Sequence, residues 1–562
     1  MAAAENTKAG EDTAAAPAQP SLRMVVAASA AGTTFEWYDF FVFGSLTTVI
    51  SKVFFTGLPE AAGYIAALAL FGAGFFFRPI GALVFGRIGD RVGRKGAFLF
   101  TVVLMGVATV AIGLLPTYSQ VGLLSPALLI LMRILQGFAL GGEYGGAAIY
   151  VAEHAPDNGR GRATSWVQTS AAFGLFAALF VILLTRLVVG RYFGPDAFDA
   201  WGWRIPFLFS AGLLLVSIFM RVRLNESPTF AKLKEEGGAS TAPYAEAFGQ
   251  WKNLKLVILA LCAVMAAQGG VWYTTFFYSQ TFLDKFLKVA PETINLVLMI
   301  VTAVSAVFYV VFGALSDRVG RKPVMLFGMT LMLVAYFPGF HMLAKFANPA
   351  LAEAQARTPV VVSADPADCS LQFDPVGKKV FVSSCDVARS ILANAGVSYD
   401  NQNAAPGSQA VVKVGNVTVA SRSAAGLPGA EVKAVRAGVE AEVKAVLAAA
   451  GYPAKADPAR FNMAGVLGVM MVFVIAATAL FGPIAACLVE LFPTRVRYTA
   501  MSLPYHIGTG WIGGFVPFFA YAIVIGVGNI YSGLWYPFAF TLLSVVTCIL
   551  FLPETRGRRL DA

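Results

Sequence analysis

The sequence predicts an all-α membrane protein: twelve transmembrane helices in two six-helix pseudo-repeat bundles, with a small extracytoplasmic α+β insertion between helices nine and ten. Three observations carry that prediction. The segment Gly86-Arg87-Ile88-Gly89-Asp90-Arg91-Val92-Gly93-Arg94-Lys95 returns as Gly313-Ala314-Leu315-Ser316-Asp317-Arg318-Val319-Gly320-Arg321-Lys322, 227 positions later, and each copy lies between long apolar stretches. A second pair, Glu153-x-x-Pro156-x-x-x-Arg160 and Glu490-x-x-Pro493-x-x-x-Arg497, is 337 positions apart, so the second half carries 110 residues that the first lacks. Finally, 57% of the residues are hydrophobic and 13% charged, with a mean hydropathy of +0.69, which is too apolar for a soluble domain.

Taken in order, residues 1–22 are Ala-rich, carry Glu5, Glu11 and Asp12, and have no apolar run, so they read as a disordered cytoplasmic tail. Apolar runs long enough to cross hydrocarbon, about 20 residues each, fall at 24–50, 62–86, 97–115, 124–152, 164–189 and 204–222, giving an amino-terminal bundle over 23–222. The charged stretch 223–253, with Lys232, Lys234, Glu235, Glu236 and Gly237-Gly238, is a cytoplasmic linker. Runs at 254–283, 292–315 and 323–344 begin the second bundle over 254–344, and runs at 462–489, 500–527 and 530–552 complete it over 462–552. Between them, 345–461 loses the apolar runs: Lys379–Val382 and Val411–Val414 alternate like strands, and Gly429–Gly451 has apolar residues at helical spacing. A short cytoplasmic tail, 553–562, follows.

The net charge of +10 is not a nucleic-acid footprint, because the Arg and Lys residues cluster in alternate loops and at the ends. By the positive-inside rule those loops and both termini are cytoplasmic. Cys262, Cys487 and Cys548 fall within spans and read as small buried hydrophobes. Cys369 and Cys385 fall in the insertion, where the compartment permits a disulfide. No zinc-spaced His/Cys cluster, nucleophile motif or phosphate-binding loop is present, so metal, cofactor and catalysis are not expected, and any work must draw on a gradient.

In each repeat the glycines allow close helix approach, and the acid can pair with an arginine or cap a neighbouring helix. A contact of that kind can exist in one orientation of a carrier and be absent in the other. Asp90, Arg91, Arg94, Asp317, Arg318 and Arg321 are therefore expected to form a conformational latch. The doubled loop motif, Gly32-Thr33-Thr34-Phe35-Glu36-Trp37-Tyr38-Asp39-Phe40, Phe77-Arg78-Pro79-Ile80-Gly81, Arg133-x-x-Gln136-Gly137, Trp203-Arg204-Ile205-Pro206-Phe207 and Phe492-Pro493-Thr494-Arg495 resemble the metabolite:proton symporter family of the major facilitator superfamily. The resemblance covers nearly all of the chain except the first tail and the insertion. It implies two parallel halves with the solute site near mid-membrane, small polar metabolites as cargo, and a bacterial inner-membrane location.

Ionisable groups inside spans cost about 2.5–3.5 kcal/mol each on insertion scales and are functional candidates. Glu36 and Asp39 are three residues apart on one face of the first span; Arg133 and Glu143 share the fourth; Arg78 lies in the second. One of Glu36, Asp39 and Glu143 is expected to take up the proton, with Arg133 either its partner or the receiver of an anionic solute. Static ion pairing is the competing reading. Tyr38, Gln136, Trp272, Tyr273, Tyr278 and His506 complete the expected solute site, the aromatics by their polar tips and His506 as a donor or proton stop. For Arg78, structure and function weigh evenly.

The expected activity is proton-coupled symport of a small organic acid by alternating access, with the bilayer, the solute and the proton as partners and a monomer as the working unit. The alternative is a zwitterionic osmolyte such as proline or betaine, held by cation–π attraction. A membrane receptor is a further reading. A drug exporter is disfavoured, because those carriers share a Gly-Pro motif in the fifth span and 164–189 contains no proline.

Overall fold

The computed structural model describes residues 22–56, 60–91, 94–142, 144–222, 240–370 and 381–560. The expected first tail and most of the linker lie outside the described residues, as does Glu143. Among the described residues, nine helices are long and apolar enough to cross a membrane, and Leu99–Leu114 and Arg204–Phe219 are shorter apolar helices.

Several spans are broken where local chemistry competes with the helix. The first ends at Ser45 and restarts as Thr47–Phe54, because the Thr47 hydroxyl donates to the Gly44 carbonyl at 2.7 Å and Leu46 leaves helical geometry. The second divides into Glu60–Phe76 and Arg78–Arg91. Pro79 has no N–H for the Phe75 carbonyl, which loosens the turn there. The fourth divides at Gly141-Gly142 into Leu124–Leu140 and Tyr144–His154. The seventh and eleventh contain π-helical turns, at Leu261–Met265, Thr274–Tyr278, Phe282–Phe286 and Ile507–Gly513.

Small residues let the helices approach closely. A methyl group on Gly137 would come within 1.7 Å of the Gly74 carbonyl oxygen, and one on Gly81 within 2.0 Å of that of Phe138, so the second and fourth spans meet backbone to backbone. The same device joins the two halves: a methyl on Gly161 would meet the Gly313 carbonyl at 2.6 Å.

The insertion is a mixed sheet of β1 (Val360–Ala364), β2 (Tyr399–Asn403), β3 (Val411–Val414) and β4 (Val417–Ala420), in the order β2-β1-β3-β4. β1 pairs parallel with β2 and antiparallel with β3, Val362 lying opposite Asn401 and Val412. Helices Ser384–Asn394 and Gly429–Ala449 accompany the sheet. The strand expected at 379–382 does not form: Phe381 and Val382 lie outside any strand, and the two residues before them lie outside the described set. Cys369 and Cys385 are bonded, tying the loop before that segment to the start of helix Ser384–Asn394.

The insertion docks on the loop ends of the second bundle. Tyr399 N–H donates to the Gly528 carbonyl at 2.9 Å, Asn401 to Val527 at 2.9 Å, and Lys288 to Asn394 at 2.6 Å. Its own two ends lie side by side, with Asn462 N–H donating to the Phe346 carbonyl at 2.9 Å.

Candidate functional site

At one end of the molecule the repeated motifs of the two halves hold each other. Asp90, from the first copy, accepts from the Thr499 N–H at 3.1 Å and the Thr499 hydroxyl at 2.6 Å, at the start of helix Arg497–His506 in the second half. Asp317, from the second copy, accepts from the N–H groups of Gly161 and Arg162, both at 2.8 Å, at the start of helix Arg160–Phe193 in the first half. Each acid thus sits at the positive end of a helix from the opposite repeat. The second motif pair crosses in the same way: Arg160 reaches Glu490 at 2.9 Å, and Arg497 reaches Glu153 at 3.2 Å. Arg321 adds contacts to Glu490 at 3.1 Å and Asp317 at 2.6 Å. Arg318 is exposed, and its carbonyl receives Arg556. The side chains of Arg91 and Arg94 lie outside the described residues.

Pro553-Glu554-Thr555, which belongs to neither repeated motif pair, completes this end. Glu554 accepts from the N–H groups of Arg321 and Lys322 at 2.9 and 3.1 Å, and the Thr555 hydroxyl donates to Glu490 at 2.8 Å. The linker contributes helix Pro243–Phe248. Its Tyr244 hydroxyl donates to Leu83 in the first half at 2.6 Å, while Glu246 takes two bonds from Arg495 in the second, at 2.7 and 3.0 Å. Partial burial would raise the Glu246 pKa, but Arg495 and Ser240 outweigh it and hold the carboxyl below its usual range.

Midway along the spans, a second set of polar groups meets between the halves. The Arg78 side chain is fully buried and makes no ion pair among the described residues, and the Tyr273 hydroxyl of the other half lies within hydrogen-bonding reach of it. Arg78 lies over the rings of Trp37 and Phe75, at 5.3 and 5.1 Å. Across the seam, Tyr273, Tyr505 and His506 are within electrostatic reach of it. Around it are further buried polar groups: the Tyr505 hydroxyl within reach of Tyr144, His506 facing the Gly141 backbone, and the Gln268 carbonyl oxygen, which has no partner among the described residues. Tyr144 stacks on Tyr505 at 3.6 Å and receives Gln168 at 2.6 Å, and Trp272 donates to the Tyr309 hydroxyl at 2.7 Å. Unpaired buried polar groups cost about 1–3 kcal/mol each. A buried cluster of guanidinium, phenol, imidazole and amide groups between the halves has the chemistry to bind a polar ligand.

Arg133 is elsewhere. It is packed inside the first half between Phe40 and Phe43, at 4.4 and 4.2 Å, and donates to Gln136 at 2.8 Å and to the Phe71 carbonyl at 3.2 Å. Gln136 in turn donates to the Thr109 hydroxyl at 2.7 Å, and Thr109 and Ser210 face Asp39. Arg133 and Asp39 are therefore linked through two neutral side chains. Glu36 is buried on the same helix as Asp39. Tyr38 points away from the seam, donating to the Pro206 carbonyl at 2.7 Å, and Tyr278 packs within the second half against Phe282 and Phe340. Of the expected solute residues, Trp272, Tyr273 and His506 are together at the seam. Tyr144, Gln168, Gln268, Tyr309 and Tyr505 join them, and Arg78 stands where Arg133 was expected. The available signal was an arginine directly before a proline inside a span.

Towards the end opposite the paired acids, a small, partly open pocket lies between the halves, lined by Ser45, Thr47 and Thr48 on one side and Gln280, Thr281 and Asp284 on the other. Phe71 and Phe277, 5.2 Å apart, and Phe41, 5.5 Å from Phe277, separate it from the Arg78 cluster.

Two helical halves with motifs locked at one end, a buried polar cluster between them and a pocket at the other end define a membrane carrier. Residues 24–242 and 439–562 match the sugar (and other) transporter family, and residues 267–352 match the major facilitator superfamily. The chain belongs to that family: it is a multi-pass membrane transporter of the major facilitator superfamily and not an enzyme. The glycine betaine/proline/ectoine/pipecolic acid transporter OusA of Dickeya dadantii and the proline/betaine transporter of Escherichia coli are each 34% identical over 331 residues, 57% of this chain and 64% of theirs. The matched stretch thus spans less than two thirds of those relatives. The shikimate transporter of Escherichia coli is 34% identical over 323 residues, 57% of this chain and 72% of its own. Among solved structures, the proton:xylose symporter XylE shares the fold, with a TM-score of 0.63 at 15% identity over 96% of this chain and 98% of that one.

Proposed function

We propose that the protein takes up a zwitterionic osmolyte of the proline or betaine type, coupled to protons, by alternating access across a bacterial inner membrane. The observation that carries this reading is the buried Arg78 guanidinium at the seam, which has no carboxylate partner among the described residues and is flanked by the Trp37 and Phe75 rings and by Tyr273. A guanidinium suits a carboxylate in two parallel hydrogen bonds. The proline and betaine transporters similar to this chain over 331 residues fit the same chemistry. A small organic acid is the second reading, favoured by the shikimate transporter and by the same arginine.

In this reading there are twelve crossings, the motif end is cytoplasmic with both termini, the insertion is outside, and the path runs between the halves of a single chain. Asp39 takes the proton and Arg133 feels its charge through Gln136 and Thr109. The paired acids Asp90 and Asp317 form the latch, which must open to release solute inside. Uptake into proteoliposomes under an imposed pH gradient tests the proposal. Betaine or proline should accumulate, Arg78→Ala should abolish accumulation, and Arg133→Lys should retain part of it. Accumulation of shikimate alone would move the assignment to organic acids, and full activity in Arg78→Ala would remove the site.

A further inference from the structure

We propose that the pocket at the end opposite the paired acids is a separate entry site for a small organic cation, held by Asp284 and the ring faces of Phe71 and Phe277. Resting on the osmolyte reading, it receives the ammonium end of the solute before the carboxylate reaches Arg78. Asp284 is the one ionisable residue lining this pocket among the described residues. Lys285 sits 3.2 Å from one of its oxygens, and a carboxylate has lone pairs for a second partner. The floor is aromatic, with the Phe71 and Phe277 rings 5.2 Å apart and inclined at 38°. On the wall, the Ser45 hydroxyl is buried without a partner. With the Asp284 carboxylate and the two rings lining one pocket, a cation has a second oxygen and aromatic surface to meet beside the Lys285 pair.

The backbone around the pocket is irregular on both sides. The first span is interrupted at Leu46, and the seventh winds in π turns at Thr274–Tyr278 and Phe282–Phe286, which bracket Gln280 and Thr281. Such turns concentrate at functional positions. The aromatic layer below the pocket separates the Asp284–Lys285 pair from Arg78. A zwitterion would then be held first by its cationic end at the mouth and afterwards by its anionic end within.

Tetramethylammonium, which has no carboxylate, isolates this site. It is titrated calorimetrically into the purified full-length protein and added as a competitor of betaine uptake. Binding should weaken about tenfold in Asp284→Asn and in Phe277→Leu, the loss of roughly one ion pair or cation–π contact, and return in Asp284→Glu. It should be unchanged in Arg78→Ala, although that variant no longer accumulates betaine. Equal binding in wild type and Asp284→Asn, or loss of binding in Arg78→Ala, overturns the entry site. If tetramethylammonium binds with the expected dependence on Asp284 while neither betaine nor proline is accumulated, the pocket stands and the osmolyte assignment fails.

Discussion

Glu490 shows how much can rest on one side chain. It is fully buried and accepts from Arg160, Arg321 and Thr555 together. Glu490→Gln leaves two buried guanidinium groups short of charge, and breaking a buried pair costs about 3–5 kcal/mol; a lowered melting temperature of the purified protein is expected. Asp39→Asn is different in kind. The amide keeps the shape facing Thr109 and Ser210 but cannot exchange a proton, so exchange of solute down its gradient should persist while pH-driven accumulation is lost. Counterflow and uphill uptake, measured on the same vesicles, separate the two. The sequence favours Arg133 as the solute partner and leaves Arg78 evenly weighed, both being arginines within apolar stretches. What distinguishes them is which neighbours the fold supplies: phenylalanine rings and a glutamine for one, tyrosines and a histidine from the other half for the other.

At the scale of elements, helix positions were legible because hydrocarbon thickness and the need to satisfy every backbone group leave few solutions. The interruptions were less so. They follow from single contacts such as Thr47 to Gly44, and from the packing of helix against helix at Gly137 and Gly74. Gly137→Leu has no room beside the Gly74 backbone and should abolish membrane accumulation of folded protein, read by detergent-soluble yield. The insertion's ends meet through Asn462 and Phe346, so replacing 349–461 with a short Gly-Ser bridge should leave a folded, membrane-inserted chain, checked by size exclusion and circular dichroism. The linker helix carries a pH signature. Because the Glu246 pKa is depressed on folding, its contribution is complete above the ordinary carboxylate value of about 4.3 and disappears as pH falls through the lower folded value. Hydrogen exchange over 243–253 should quicken in that window and not at neutral pH.

For the whole molecule, the two motif pairs hold opposite halves, each first-half acid meeting a second-half partner and the reverse. A carrier with this end closed must break those contacts to open it. Asp90→Asn with Asp317→Asn weakens the hold on two helix starts, where a lost cap costs about 0.5–2 kcal/mol each. The expected result is a shift toward the state open at the motif end, seen as faster labelling of a cysteine placed at Ser502, a seam residue of the eleventh span. Unchanged labelling in the double variant would show that the acids do not govern the equilibrium.

Sequence by itself determined that the chain is duplicated, helical and membrane-embedded, since repeat spacing and apolar run length are properties read along one dimension. It also supplied the motif acids and the aromatic residues of the seventh span. Only the tertiary structure decided that the repeats pair crosswise, that Glu554 and Thr555 join them, and that Arg78 occupies the seam while Arg133 is enclosed within one half. Helical periodicity gives the face on which a side chain stands, but the partner on that face comes from a helix hundreds of residues away.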